Sequence, residues 1–599
     1  ILLNMKGFLK SFFASFLGVF AALIFMGLFI MVIVSAIGSL SDDKPEIKEN
    51  SILQIRLAKE IVDHAVDNPF ENFDFQSFDM KSQIGLDDVL SSLDNASVDP
   101  KIKGIFLDIS GLNAGMATIM EVRKAIDAFK ESGKFIYAYS EGYSQFGYYL
   151  ASAADEVHLY PEGEMDLKGL YMEMAMLKNM LNKVGVEAQV FRGPDNKYKS
   201  AAEALMYDKM SPENREQMQR LLDVVWEDWL TTVSNSRNIS VDQLEAFADS
   251  ILIREPQDAV KYGLVDKLSF RDEVMELLMA AVEVEKKDDL NMVSLAKYSK
   301  VPRVEVEGEE KPYKIKNKIG VIYASGNIVS GSGEQGQMGS ASIVKAIEAA
   351  EKDTTVKAIV MRVNSGGGSA LASDVMWRAA QKAKETKPFV VSMGDVAASG
   401  GYYISCGADM IFADENTITG SIGVIGIIPN MQELMTEKVG INFDVVRTNE
   451  QSDFLSVMRP ARENESDIIN ESITRVYDTF ISKVSEGRGI EAALVDSFAR
   501  GRVWIGRDAL ERNLVDSLGG LDDAISAAAK LASLDNYKLR VFPKDKDPFQ
   551  ALMEGFNAQA HAYFGTKMFG DDFVYVEKIK SLREIQGIQM RLPYEMIIK

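Results

Sequence analysis

Cysteine is nearly absent from this chain: Cys406 is the single one in 599 residues. No intrachain disulfide is possible, and no cysteine-built metal site. Histidine is almost as scarce. His64, His158 and His561 fall in unrelated segments, so a serine–histidine–carboxylate triad is poorly supplied, and so is a histidine-rich metal centre. Net positive charge is lacking too. With 88 acidic and 66 basic side chains the formal charge is −22, which argues against nucleic acid as a partner, because phosphate binding needs a basic face. The chain carries no phosphate-loop lysine motif and no metal-ligating constellation, and neither a cofactor nor a metal is expected. Gly331–Gly336 fits G-x-G-x-x-G but opens no evident helix within a βαβ unit, so it reads as a surface loop. Cys406, inside a small-residue helix, is expected to be buried and inert. His158, in the strand-like run Glu156–Tyr160, reads as a satisfied core or edge residue.

What is present is material for large cores: 47% of residues are hydrophobic and 26% charged, in a chain long enough for two to four domains. Ser11 to Ser41 carries no charged side chain, and Phe12 to Ile37 is rich in Phe, Leu, Ile, Val, Ala and Gly. A span of about 20 apolar residues crosses a bilayer, and the apolar region of a cleaved signal peptide is shorter. Lys6 and Lys10 precede the run and acidic residues follow it. By the positive-inside rule residues 1–45 are therefore expected to be a cytoplasmic N-terminus and transmembrane anchor, with the rest outside the cytoplasm.

The remainder repeats itself. Lys103–Asp108 matches Lys357–Arg362, Phe135–Ala138 matches Phe389–Ser392, Gly147–Tyr149 matches Gly401–Tyr403, and Gly169 matches Gly423, all at an offset of 254. Two copies of one domain are expected at 46–282 and 319–545, with a charged linker at 283–318 and a tail at 546–599 whose place the sequence leaves open. Each copy alternates short buried apolar strands with amphipathic helices, which predicts an α/β fold with a mostly parallel sheet.

Ser392–Tyr403 sits at a strand-to-helix junction in the second copy. Ala398-Ser399-Gly400-Gly401 there can expose a serine whose following backbone N–H groups face a reacting carbonyl; a plain tight turn with Ser399 as helix cap is the alternative. A glycine loop, Asn364-Ser365-Gly366-Gly367-Gly368-Ser369, lies about 30 residues upstream. The offset puts Gln145 at the position of Ser399 and Leu112-Asn113-Ala114 at the glycine loop, so only the second copy can hold a nucleophile. With histidine so scarce, its base is expected to be a lysine or a carboxylate. The first copy offers Lys197 and Lys199 where the second has no lysine, as expected of a dyad split across the repeat. A solvated charge run would look the same.

These residues resemble the long, duplicated form of the signal peptide peptidase family of the SppA type, also called protease IV. The likeness rests on Met393-Gly394-Asp395…Ala398-Ser399-Gly400-Gly401-Tyr402, Tyr198-Lys199-Ser200-Ala201, the glycine loop and Thr419-Gly420-Ser421-Ile422-Gly423. The resemblance implies a tandem repeat of two ClpP/crotonase-like domains and a serine protease. It implies Ser399 as nucleophile, Lys199 as general base, Ser421 as an orienting group, and Gly367, Gly368 and Gly400 as oxyanion-hole donors. Gly366 stands where the family commonly has proline. A lysine near its reference pKa of about 10.4 is protonated at neutral pH, so burial must lower it, and Lys197 would push the same way if close. The resemblance further implies signal peptides and unfolded apolar peptides as substrates, the bilayer as the anchor's partner, a homotetramer, and a bacterial inner-membrane location with the catalytic domains outside the cytoplasm. A degenerate membrane-anchored scaffold and a crotonase-like acyl-thioester enzyme are the rival readings.

Overall fold

A computed structural model describes residues 15–18, 45–66, 73–74, 79–80, 83–109, 111–193, 196–305, 312–334, 336–543 and 587–591. The apolar run at 12–37 lies outside the described residues except for the helical turn 15–18. Among the described residues no helix is long and apolar enough to cross a membrane.

The strands are buried on both faces, which is why they read as continuous apolar runs. Ile102–Asp108 is buried at every position but Lys103. Its equivalent Val356–Ser365 exposes Lys357 and half-buries Asn364. In the first repeat six strands pair, all parallel, in the order Lys267–Leu268, Glu156–Met165, Phe135–Tyr143, Ile102–Asp108, Ser51–Ile55, Asn291–Ser294. Parallel neighbours need crossovers, and helices supply them. Leu86–Val98 turns Leu86, Val89, Leu90, Leu93 and Ala96 onto the sheet at helical spacing. The second repeat follows the same plan: Val503–Ile505, Ile418–Gly420, Phe389–Ala398, Val356–Ser365, Lys318–Ser325, Lys538–Phe542. Only Val503–Ile505 runs antiparallel to its neighbour in that order.

The offset holds in detail. Helix Leu86–Val98 corresponds to Ser340–Lys352, and Met116–Lys130 to Ala370–Lys384. Tyr148 donates its hydroxyl to the Leu264 carbonyl, and Tyr402 donates to that of Leu514. A 26-residue helix follows in each copy, Pro212–Arg237 and Glu463–Arg488. Each ends on a left-handed residue, Asn238 or Gly489, that closes the last turn.

The stretch 283–318 is not all connector. Asn291–Ser294 adds to the first sheet beside Ser51–Ile55, as Lys538–Phe542 adds beside Lys318–Ser325, and Tyr298 is buried, bonding Asp99 at 3.0 Å. The strand hid in a charged context because it is a short sheet edge. The tail also returns a strand, Gly587–Arg591.

The two repeats are interlocked rather than merely linked. A third sheet, ordered Gln337–Gly339, Asn327–Val329, Gly367–Ser369, Gly587–Arg591, Ile425–Asn430, Glu187–Arg192, takes its last strand from the first repeat. Ala398, Ile418, Val503 and Ile505 belong to the first repeat's main apolar cluster, and Phe191 to the second's. A polar joint completes the contact. Arg362, fully buried, reaches Asp63 at 2.7 Å and Glu121 at 2.6 Å. Asp63 also accepts from Asn364 and Ser325, and Glu121 from the backbone of Leu521. Burial raises the Asp395 carboxyl, which takes two bonds from Thr118.

Removing one partner of such a network strands the others in a dry interface, at about 3–5 kcal/mol. Arg362→Ala is therefore expected to lower the thermal midpoint sharply, whereas Lys352→Ala, which breaks an exposed pair with Glu348, shifts it little. Differential scanning fluorimetry of the two variants separates them; equal shifts would show that the joint carries no stability.

Candidate active site

The strand Phe389–Ala398 ends where the helix Gly400–Ser405 begins, and Ser399 is the joint between them. Its backbone stands at φ 55° and ψ −113°, a region that side chains other than glycine seldom adopt. Its amide donates to the Gly420 carbonyl at 2.8 Å. Its side chain makes no capping bond, so the turn-and-cap alternative does not describe it. The hydroxyl instead lies 2.8 Å from Lys199 Nζ.

Lys199 comes from the other repeat. The strand Glu187–Arg192 pairs antiparallel with Ile425–Asn430 of the second copy, and the chain then turns through Asn196–Ser200 into the site. Lys199 is fully buried. Among the described residues its amine has three bonding neighbours, all serine oxygens: Ser399 Oγ at 2.8 Å, Ser421 Oγ at 2.8 Å and the Ser421 carbonyl at 2.9 Å. Burial alone holds the lysine well below its ordinary value. Neutral –NH₂ has two donors and one lone pair, and that inventory fits three neighbours of which one is the Ser399 O–H. Lys197 contributes nothing to this. It is exposed over the Tyr198 ring, 5.4 Å from its centroid.

Two residues that sequence reasoning missed hold the lysine turn in place. Gly501 has φ +80°, and a Cβ there would meet Lys199 Cβ at 2.4 Å. Gln217, buried on the first repeat's long helix, donates to Ser200 Oγ at 2.9 Å and accepts from the Val503 amide at 3.0 Å. No local motif marks either residue. Gly501 lies beyond the repeat's recognisable matches, and Gln217 reads as one more polar helix position.

The glycine loop meets the Ser399 junction. A Cβ on Gly367, at φ +97°, would lie 2.6 Å from the Gly400 amide nitrogen. The Gly367 N–H is already spent on Ser365 Oγ at 3.1 Å, so Gly367 brings its loop close rather than offering a donor. Gly400 opens its helix, where an N–H lacks an intrahelical acceptor. Ser421, at φ 49°, is held by its amide on the Arg502 carbonyl at 2.7 Å.

The other singled-out residues stay apart from this site. Cys406 is buried, and its burial pushes the thiol up to about 12. His158 is buried between Ser269 and Glu156, and its burial lowers its pKa. The His64 ring stacks on Tyr323 and pairs with Asp87. His561 lies outside the described residues. In the first repeat Gln145 spends its amide on Gly169 and Lys168, a structural clamp where Ser399 has its hydroxyl.

Comparison with known proteins agrees with this geometry. The model of peptidase family S49 matches residues 128–285 and 381–535, one segment per repeat. Protease 4 of Haemophilus influenzae is 35% identical over 74% of this chain and 73% of its own length. Protease 4 of Salmonella typhi is 35% identical over 81% and 78%. The chloroplastic serine protease SPPA of Arabidopsis thaliana is 32% identical over 85% and 74%. Among solved structures, a ClpP1 mutant from Listeria monocytogenes covers 34% of this chain and 94% of its own at 17% identity and a TM-score of 0.24, too low to bear on the argument. With both repeats matched and most of the chain aligned to such relatives, the chain belongs to peptidase family S49 and is a serine protease of that family.

Proposed function

We propose that the chain is a membrane-anchored endopeptidase working through a Ser399–Lys199 dyad split between its two ClpP/crotonase-like repeats. The observation that carries this reading is a lysine amine 2.8 Å from the hydroxyl of a serine with a strained backbone, fully buried and, among the described residues, bonded only to serine oxygens. Neutral Lys199 takes the Ser399 proton as Oγ attacks a peptide carbonyl, then hands it to the leaving amine. The Ser421 hydroxyl and carbonyl fix the direction of the lysine lone pair. The Gly400 and Gly368 N–H groups face the developing oxyanion, a contribution of about 3 kcal/mol for each such donor. Water releases the acyl-enzyme. The substrates are cleaved signal peptides and other unfolded apolar chains, delivered from the bilayer to a site held outside the cytoplasm by the 12–37 anchor.

We also propose that copies assemble. In one chain, Glu187–Arg192 pairs with Ile425–Asn430. The repeat offset carries these strands onto 441–446 and 171–176, neither of which forms a strand pair among the described residues. Ile441, Phe443, Val445 and Val446 are exposed, Val446 at 98%. Pairing 441–446 of one copy with 171–176 of the next would repeat the intrachain contact around a closed homo-oligomer, a tetramer by the resemblance above.

Four outcomes test these readings. On a quenched apolar signal-peptide substrate, Ser399→Ala and Lys199→Ala should fall to background while folded, and Lys199→Arg should not rescue, because arginine stays charged. The base works only when neutral, so kcat/KM should rise with pH through the lowered lysine pKa, well below 10.5; a Lys199→Ala variant that keeps most of the activity would place the base elsewhere. Gly501→Ala should lower kcat by about 100-fold or more by displacing the lysine, with KM little changed. Phe443→Asp with Val445→Asp should reduce the native mass in detergent to that of one chain, as read by light scattering; an unchanged mass would reject the strand exchange.

A further inference from the structure

The strand that leads to Ser399 does not run straight to it. Val363 faces Met393 and Ser365 faces Ala397, so Gly394, Asp395 and Val396 pass opposite the single residue Asn364. Such a bulge bends its strand and re-aims the side chain beyond it, here Ser399. Each bulge residue is pinned. The Gly394 carbonyl accepts from Thr417 Oγ1 at 2.8 Å. The Asp395 carboxylate accepts from the Thr118 amide at 2.9 Å and from its hydroxyl at 2.7 Å. The Val396 amide donates to Asn364 Oδ1 at 3.1 Å. A Cβ on Gly394 would lie 3.0 Å from the Asn364 carboxamide, so glycine there lets that side chain close over the bulge.

Asn364 is also the root of the glycine loop. Its carbonyl accepts from the Gly326 amide at 3.0 Å. Ser365, the next residue, donates to the Gly326 carbonyl at 2.6 Å and accepts from the Gly367 amide at 3.1 Å. The nitrogen end of the Asn364 carboxamide donates to Asp63 Oδ2 at 3.0 Å, and Asp63 of the first repeat is fixed in turn by Arg362 and Ser325. One half-buried side chain thus ties the Ser399 strand, the glycine loop and the other repeat together. The group must donate at one end and accept at the other, which a carboxamide does. A carboxylate would set like charge against Asp63, and a hydrocarbon would take the acceptor from the Val396 amide.

Resting on the Ser399–Lys199 reading above, we propose that Asn364 is a positioning residue for the oxyanion hole, setting the gap between Gly400 and Gly368 while Asp63 of the first repeat holds its orientation. The first repeat then supplies more than the base: it also places the donors that meet the transition state. The two segments are in contact, since a Cβ on Gly400 would lie 3.1 Å from Gly367 Cα, and a slip at Asn364 passes directly into that gap. Donors that act only in the transition state change kcat when misplaced and leave substrate binding as it was.

The test compares wild type, Asn364→Asp, and the exchange of Asp63→Asn with Asn364→Asp. Each is measured on the quenched apolar peptide and on a peptide aldehyde, whose hemiacetal with Ser399 Oγ puts an oxygen at the oxyanion position. Asn364→Asp should lower kcat by about 10- to 100-fold with KM within about twofold. Its affinity for the aldehyde should fall by the same factor as kcat, which a merely structural role would not produce. In the exchange an amide at 63 donates to a carboxylate at 364 that still accepts from Val396, so kcat should return to within about threefold of wild type. Asn364→Ala, which brings in no charge, carries the same expectation as the single variant should the aspartate prevent folding. A folded single variant that keeps kcat and aldehyde affinity overturns the assignment and leaves the dyad standing. Loss of kcat with unchanged aldehyde affinity also overturns it, as does a folded exchange no more active than Asn364→Asp. A folded wild type that neither cuts the peptide nor binds the aldehyde rejects the dyad reading, and this assignment with it.

Discussion

A lysine amine kept out of water without a counter-charge is the constraint around which the rest of this molecule is arranged. Burial holds Lys199 well below its ordinary pKa, and the same burial is unfavourable for folding. A charged lysine would draw in water or a carboxylate, and either would return its pKa toward the ordinary range. Among the described residues the fold surrounds it with three serine oxygens and bonds it to no acid. Such an enclosure needs walls on every side, and both repeats contribute them. The second repeat supplies Ser399, Ser421 and Gly501, and the first supplies Lys199 and Gln217.

A dyad divided between two domains works only if those domains cannot shift, since a misplacement of about 1 Å can remove two orders of magnitude in rate. That explains the nature of the joint. Apolar contact alone tolerates sliding, whereas Arg362 reaching Asp63 and Glu121, with Asn364, Ser325 and Leu521 bonded to the same carboxylates, has one register in which every group is satisfied. The Asp395–Thr118 contact and the Lys124–Asp414 pair at 2.8 Å add further fixed points. Burial lifts Asp414 to about 6 despite that lysine, so this joint favours precise placement over net electrostatic gain.

Much of this is legible in the sequence, for physical reasons. Parallel strands buried on two faces leave unbroken apolar runs, and a duplicated fold leaves them twice at one spacing, so the repeats and their βαβ order can be read directly. Ser399, Lys199 and Ser421 are legible because strained or close-packed positions admit few residue types and so leave compact motifs. The edge strand Asn291–Ser294 is not: it needs only four residues against one neighbour, and its composition matches a linker. Gly501 is illegible because its requirement is set by a lysine some 300 positions away. Lys197 misleads, since proximity in sequence to Lys199 carries no information about which side chain turns inward. The glycine loop is half legible. Its approach to Ser399 follows from the motif, but the use of the Gly367 N–H by Ser365 depends on a side-chain rotation.

The first repeat shows what happens to such a site when its chemistry is given up. Gln145 occupies the position of Ser399, and its carboxamide takes the Lys168 and Gly169 amides at 2.8 and 2.9 Å and donates to the Gly169 carbonyl at 2.9 Å. Gly169 corresponds to Gly423, two residues after Ser421. The longer side chain thus spends its polar atoms on the backbone just after Leu167, the counterpart of Ser421. A plugged site leaves no demand for a glycine loop or for a lysine turn delivered to it, and Leu112–Ala114 stands where that loop would be. The first repeat's own turn is then free to reach across to the second copy. Loss of one site and sharing of the other are therefore two sides of one rearrangement, in which each repeat keeps only the half of the machinery that the joint can hold in register.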